Sequence, residues 1–147
     1  MRVSGVGVEE HGRAAEVWEA SVRATHDFVT EADLDVFRPL VAGSFGEIAQ
    51  LAGLRDGDDR LVGFVGVEHG KVEMLFLDPE VRGQGGGKML LEHAIEVFGA
   101  STLDVNEQNP HAVGFYLHHG FRVIGRSELD STGRPYPLLH LTLSPTV

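Results

Sequence analysis

Apolar positions follow a helical period in two segments near the start of the chain. Residues 12–25 place Ala14, Ala15, Val17, Trp18 and Val22 on one face, which predicts a first helix. A second helix is predicted over residues 31–42. It is expected to be broken or bent near Pro39, because proline removes a backbone donor and clashes with the preceding turn. A short strand over residues 2–8 precedes these helices, and residues 43–48 form either a loop or a short helical piece.

The middle of the chain changes to the pattern of strands. Residues 49–54, 60–69 and 71–77 are separated by turn-forming segments at 56–59 and 69–70, which predicts an antiparallel meander. Helical spacing then returns over residues 86–98, where Gly99 ends the helix. The residues expected to be buried by this helix are Leu90, Leu91, Ala94, Ile95 and Phe98.

The last third of the chain has clear stop and start signals. After a short strand over residues 102–106, Asn109 is expected to cap a helix that begins at Pro110 and stops at Gly120. Residues 121–129 and 136–143 are predicted to pair as a hairpin across a turn at 130–133. The order of elements predicts an α/β fold, in which a mixed, mostly antiparallel sheet of about seven strands carries helices on both faces.

Composition narrows the class of protein. A length of 147 residues suits a single domain over residues 1–147. The chain has no apolar run of membrane-spanning length and no signal-peptide pattern at its start, so we expect no membrane partner and a cytoplasmic location. A net charge of −10 argues against nucleic-acid binding and is compatible with a cationic substrate, although acidity also simply keeps a protein soluble. The absence of cysteine excludes a thiol nucleophile.

The most informative segment is the glycine-rich turn Arg82-Gly-Gln-Gly-Gly-Gly-Lys88, which links a strand to a helix. Its backbone N–H groups, together with the positive end of the helix dipole, can hold a phosphate group. A Walker loop would need glycine at Arg82 and a hydroxyl at Met89. A dinucleotide-binding fingerprint would need glycine at Lys88 or Leu90. Neither nucleotide motif is therefore present.

The turn does match the R/Q-x-x-G-x-G/A pattern, and the segment before it reads strand-Asp-Pro-Glu-Val. Downstream, residues 106–121 match N-x-x-A-x-x-F-Y-x-x-x-G-F. With both segments in order, the chain resembles the GCN5-related N-acetyltransferase (GNAT) superfamily. Residues 24–28, 125–128 and 133–139 are similar to its YjaB-type bacterial branch.

This resemblance implies an enzyme that transfers the acetyl group of acetyl-coenzyme A directly to an amine acceptor. The backbone of Leu75, Phe76 and Leu77 is expected to pair with the pantetheine arm, and Asn106 and Asn109 to line the opening beside it. The pyrophosphate would be held by Arg82, Gly83, Gln84, Gly85, Gly86, Gly87 and Lys88. A homodimer is common among relatives. The alternative is a coenzyme-A-binding sensor with little or no transferase activity.

Three residues are candidates for proton transfer. Tyr116 matches the superfamily's tyrosine position beside the thioester sulfur, which makes it the expected general acid. The general base is left open between Glu73, predicted by alternation to share a face with Leu75 and Leu77, and His26, whose unperturbed pKa suits neutral pH. The eight histidines show no metal-ligand spacing, so no metal is expected.

Overall fold

The computed structural model describes residues 1–26 and 28–144. Asp27, which belongs to the segment 24–28 noted above, and residues 145–147 lie outside the described part. The helices and strands are, in order, β1 (Arg2–Ser4), α1 (His11–Thr25), α2 (Glu31–Ser44), β2 (Gln50–Arg55), β3 (Leu61–Glu68), β4 (Lys71–Leu77), α3 (Gly86–Glu96), β5 (Thr102–Asn106), α4 (Pro110–His118), β6 (Phe121–Ser127) and β7 (Leu138–Leu143).

The chain forms two compact units, Met1–Ala100 and Ser101–Val147. In the first, β1, β2, β3 and β4 pair in that order, and every pairing is antiparallel. Helices α1 and α2 cover one face of these strands, where their apolar residues pack around Trp18, Phe45 and Phe64. Burial of this stripe is what stabilises two helices that are otherwise polar on their outer sides.

Helix α3 packs on the opposite face of the same strands. Gly63 of β3 lets Leu77 and Leu90 approach closely, since a Cβ there would lie 2.7 Å from Leu77 Cδ2 and 3.3 Å from Leu90 Cδ1. Leu90, Leu91 and Ala94 are all buried, as the helical spacing predicts. Helices therefore lie on both faces of the strands in this unit.

Over its described residues, 101–144, the second unit contains three strands and one helix. β7 pairs with β5 on one side and with β6 on the other, and both pairings are antiparallel. Helix α4 contacts β5 and β6. Leu103, Val105 and Leu141 are buried. The predicted α/β class, with seven mostly antiparallel strands, is confirmed by the two units taken separately. The prediction of a single domain over residues 1–147 stays a prediction.

Arg55 fixes the start of the chain to β2. Its Nη1 and Nη2 each donate a 2.6 Å hydrogen bond to Glu10, and its Nε donates a 2.7 Å bond to Ser4 Oγ. Hydrogen bonds from the Arg55 side chain, and then from the Gly7 amide, lower the pKa of Glu10 from 4.5 to about 2. This bidentate ion pair holds a strand of three residues that would be too short to stand alone.

The structure differs from the sequence prediction at several element ends. β1 ends at Ser4 rather than at residue 8, because Val8–Glu10 forms a turn of 3₁₀ helix. Helix α2 is not broken at Pro39 and continues to Ser44. α3 ends at Glu96 rather than at residue 98. The two strands of the closing hairpin are shorter than predicted. In the turn between them, the Asp130 carboxylate accepts hydrogen bonds from the Thr132 and Arg134 amides. Within the described residues, no helix is both long and apolar enough to cross a membrane.

Candidate functional site

The glycine-rich turn leads directly into α3. After the 3₁₀ turn Pro79–Val81, Gly83 and Gly85 adopt left-handed conformations with φ of 81° and 86°. A side chain at such a φ costs roughly 1–2 kcal/mol, so glycine is needed at both positions. The turn brings successive backbone amides to the first turn of a helix of 11 residues.

The amides at this helix start are left free to bind. The first hydrogen bond of α3 runs from the Met89 amide to the Gly85 carbonyl, at 3.2 Å. Among the described residues, no acceptor contacts the amides from Gly83 to Lys88. Arg82 is exposed, and the exposed Lys88 ammonium lies 3.8 Å from Glu92 one turn further on. Free N–H groups, a helix N-terminus and two cations can together hold an anion, and we call this arrangement the anion site.

Gly86 serves a different purpose from the glycines of the turn. It is buried, and a Cβ at this position would lie 2.5 Å from Leu54 Cδ2 and 3.3 Å from Leu77 Cδ2. The missing side chain lets the first turn of α3 rest directly on β2 and β4. The anion site is therefore supported by the packed core of the first unit.

An ion pair holds the backbone just before the turn. Arg13 of α1 donates to Asp78 Oδ2 at 3.0 Å and to the Leu61 carbonyl at 2.9 Å, while Asp78 Oδ1 accepts from the Glu80 amide at 3.0 Å. Burial acts to raise the pKa of Asp78, but the hydrogen bonds from Glu80 and Arg13 outweigh it and the pKa is lowered. Sequence reasoning missed this pair. The Asp-Pro dipeptide indicates a capped turn, but nothing local indicates that its partner is Arg13.

Strand β4 carries the residues predicted to face the pantetheine arm. Leu75, Phe76 and Leu77 are half-buried and pair with Val65, Phe64 and Gly63 of β3. Phe76 packs with the α1 and α2 core, whereas Leu77 packs under α3. The side chains of Phe76 and Leu77 are thus used by the core.

Glu73 lies at a β-bulge. Gly66 pairs with Met74 and Val67 with Val72, so Glu73 has no partner residue on β3. The extra residue interrupts the alternation, so the face that Glu73 occupies no longer follows from spacing, and its placement beside Leu75 and Leu77 stays a prediction. Glu73 is exposed, and its Oε1 lies 3.9 Å from Lys71 Nζ. Its carboxylate is accessible for proton transfer.

His26 lies at the end of α1. Its amide donates to the Val22 carbonyl at 2.7 Å, its Nδ1 lies 2.7 Å from Thr25 Oγ1, and its ring packs against Phe28. These contacts are those of a helix-terminal histidine. In the described part of the chain, neither a hydrogen bond nor an ion pair joins His26 to Glu73.

Asn106 and Asn109 lie together at the junction of β5 and α4. Asn106 Oδ1 accepts from the Gln108 amide at 3.2 Å, and the Asn109 amide donates to the Asn106 carbonyl at 3.0 Å. Asn109 is buried and its Oδ1 accepts from the Ala112 amide at 3.3 Å, which makes it the N-cap of α4 as predicted. Both side chains hold the backbone that presents α4.

Tyr116 is a buried residue of α4, 8% exposed, whose ring packs edge-on against Phe115 and Phe121. Burial raises the pKa of its phenol. Within the part of the chain that the structure describes, no cluster of three or more potential metal ligands occurs.

The strands, helices and glycine turn described above are those of a GNAT-type acetyltransferase. A family model for the acetyltransferase (GNAT) domain matches residues 43–136, and the chain belongs to this family. It is 46% identical over 133 residues to the peptidyl-lysine N-acetyltransferase YjaB of Salmonella typhimurium, a match that covers 90% of this chain and 91% of that protein.

Solved structures agree with this assignment. The solution structure of apo YjaB from Escherichia coli aligns with a TM-score of 0.88 at 40% identity, covering 99% of this chain and 100% of that one. A structure of PaiA N-acetyltransferase from Thermoplasma acidophilum in complex with coenzyme A aligns with a TM-score of 0.72 at 20% identity, over 97% and 98% of the two chains. The predicted superfamily and fold are confirmed.

Proposed function

We propose that the protein transfers the acetyl group of acetyl-coenzyme A to the ε-amine of lysine residues in proteins. The choice of acetyl-coenzyme A as the acetyl donor rests on the start of α3, where unpaired amides, Arg82 and Lys88 can hold a pyrophosphate. The acceptor is supported by the 46% identity to a protein named as a peptidyl-lysine N-acetyltransferase. A net charge of −10 also favours a cationic acceptor.

The residues of the site have separate tasks in this proposal. Gly83 to Lys88 bind the pyrophosphate, the backbone of Leu75 to Leu77 aligns the pantetheine arm, and Asn106 and Asn109 hold the opening beside it. The lysine nitrogen attacks the thioester carbonyl, and the C–S bond then breaks. Aligning the two reactants in this way supplies much of the rate enhancement, because it turns a bimolecular step into an intramolecular one.

Tyr116 supplies a proton or a strong hydrogen bond to the departing thiolate. A phenol is protonated at neutral pH, and burial raises the pKa of Tyr116 further, so the proton is present when it is needed. Glu73 or His26 removes the proton of the ammonium, directly or through one water molecule. Glu73 has the more accessible group, since its carboxylate is exposed and held only at 3.9 Å by Lys71.

The test uses a peptide with one lysine and a blocked N-terminus, paired with a matched peptide that has a free N-terminus and no lysine. We expect acetylation of the lysine ε-amine, measured by mass spectrometry, with one thiol released for each acetyl group transferred. Heat-denatured protein is the control for spontaneous acetylation. Transfer only to the N-terminal amine or only to small polyamines would refute the lysine acceptor. Tight binding of acetyl-coenzyme A without any transfer would identify a sensor instead.

A further inference from the structure

Three polar side chains form a continuous hydrogen-bonded line across the second unit. Ser127 at the end of β6 has its Oγ 2.7 Å from His140 Nε2 on β7, and His140 Nδ1 lies 2.6 Å from Asp104 Oδ1 on β5. Asp104 and His140 are directly paired across the strands, and Ser127 is diagonal to His140 because Gly125 takes the position opposite it. We call these residues the Ser127–His140–Asp104 line.

The chemistry of these groups determines where the protons lie. The Asp104 carboxylate can only accept, so the Nδ1 of a neutral His140 carries the ring proton. His140 Nε2 is then the acceptor, and the Ser127 hydroxyl donates to it. A carboxylate on Nδ1 and a serine hydroxyl that donates to the lone pair of Nε2 are the arrangement that activates serine as a nucleophile.

The line lies apart from the phenol proposed for acetyl transfer. Leu103 and Val105 are buried on the face of β5 that α4 covers, so by alternation Asp104 points to the other face. Tyr116 of α4 is thus on the opposite side of these strands. The His140 and Asp104 side chains are 34% and 25% exposed, and Ser127 is half-buried. A small reagent can reach the serine.

We propose that Ser127 is an activated nucleophile that reacts with unhindered activated esters and thioesters, an activity separate from acetyl transfer to amines. Ser127 Oγ bonds to the carbonyl carbon as its proton passes to His140 Nε2. The bond to the alcohol or thiol then breaks, and this leaving group takes the proton from His140. Water hydrolyses the acyl-serine by the same route, which releases a carboxylic acid and regenerates the hydroxyl.

Asp104 is a positioning residue in this scheme, since it fixes the tautomer and orientation of His140 without touching the acyl group. The scheme assigns no hydrogen-bond donor to the carbonyl oxygen as it becomes negative. Removal of one such donor slows known enzymes by about 10² to 10³-fold, so acylation of Ser127 is expected over minutes rather than milliseconds.

The experiment treats the full-length protein with p-nitrophenyl acetate, and separately with a fluorophosphonate probe. We expect one adduct by intact mass, mapped to Ser127 by peptide mass spectrometry. Ser127→Ala should abolish it, and His140→Gln should slow labelling by at least about ten-fold. Ser131→Ala is the matched control, because Ser131 is an exposed serine of the same hairpin with no histidine contact in the described residues, and its labelling should equal that of the wild type.

Further measurements separate an activated serine from a cross-strand hydrogen bond that only stabilises the sheet. Labelling of the wild type must disappear in urea, which requires no variant to fold. Asp104→Asn should slow labelling and Asp104→Glu should restore part of it, whereas a purely structural role would change only the free energy of unfolding. No adduct, an adduct elsewhere, or equal labelling of His140→Gln would overturn the proposal. Since the amine-acetylation assay does not depend on Ser127, either proposal can fail alone.

Discussion

The ion pair between Arg13 and Asp78 gives the sharpest test of how the anion site is supported. In Arg13→Met, two hydrogen bonds are lost, those to Asp78 Oδ2 and to the Leu61 carbonyl. Breaking a fully buried ion pair costs about 3–5 kcal/mol, and an exposed pair contributes only about 0.2–1 kcal/mol. The Arg13 and Asp78 side chains are 21% and 12% exposed, between these limits. We therefore expect a loss of about 2 kcal/mol.

Urea unfolding at neutral pH measures this loss. Arg23→Met, on the same helix, is the matched control. Arg23 is 42% exposed and pairs with Glu19 and Glu31 at the surface, so its loss should cost no more than about 0.5 kcal/mol. Equal effects of the two substitutions would refute the reasoning from burial.

Acid should narrow the difference between Arg13→Met and the wild type. The folded-state pKa of Asp78 is lowered, so its stabilisation is present above the ordinary pKa of aspartate, about 3.9, and is lost as the pH falls through the lowered value. In Arg13→Met the pKa is lowered less. A difference in unfolding free energy that stays constant from pH 7 to pH 3 would show that Asp78 is not the partner that matters.

Three further predictions address the proposed general acid Tyr116, the glycines of two helices, and the ion pair between Glu10 and Arg55. Tyr116→Phe should lower kcat by about 10²-fold with little change in the KM for acetyl-coenzyme A, and steady-state rates that match the wild type would remove its role. Gly86→Ala should lower the free energy of unfolding by about 1–3 kcal/mol, because the new methyl group meets Leu54. Gly114→Ala in α4, where nothing lies within 4 Å, should raise it by up to about 1 kcal/mol. Chemical denaturation should therefore give changes of opposite sign for the two variants. Glu10→Gln should be less stable than the wild type at neutral pH, and the difference should vanish between pH 4.5 and about 2, as thermal unfolding at each pH would show.

The sequence predicted best those elements that are marked by local chemistry. α4 begins and is capped where Asn109 and Pro110 predict, and β4 and β5 match their predicted bounds, because turn residues bracket them. Of the two outcomes predicted at Pro39, a break or a bend, the break does not occur. Packing of α1 and α2 on a shared core outweighs the local cost of one proline, so the helix continues through it.

The site shows the same division between local and distant information. The amide-lined turn at Arg82 to Lys88 could be found from spacing alone, because only glycine tolerates φ near 80°. The support given by Arg13 and the line through His140 could not, since Arg13 lies 65 positions from Asp78 and His140 lies 36 positions from Asp104. The bulge at Glu73 was invisible for a related reason. The residues of β4 alone do not indicate which of them will lack a partner on β3.

Because of that bulge, residue 73 is a position of β4 where a whole residue can be deleted, not only substituted. Because Val72 and Met74 already pair with consecutive residues of β3, we expect removal of Glu73 to leave the pairing with β3 intact and give a regular ladder there. Glu73→Gln, in contrast, keeps the extra peptide unit and loses only the charge. The two changes separate what the carboxylate contributes to proton transfer from what one additional backbone unit contributes to the twist of the strand.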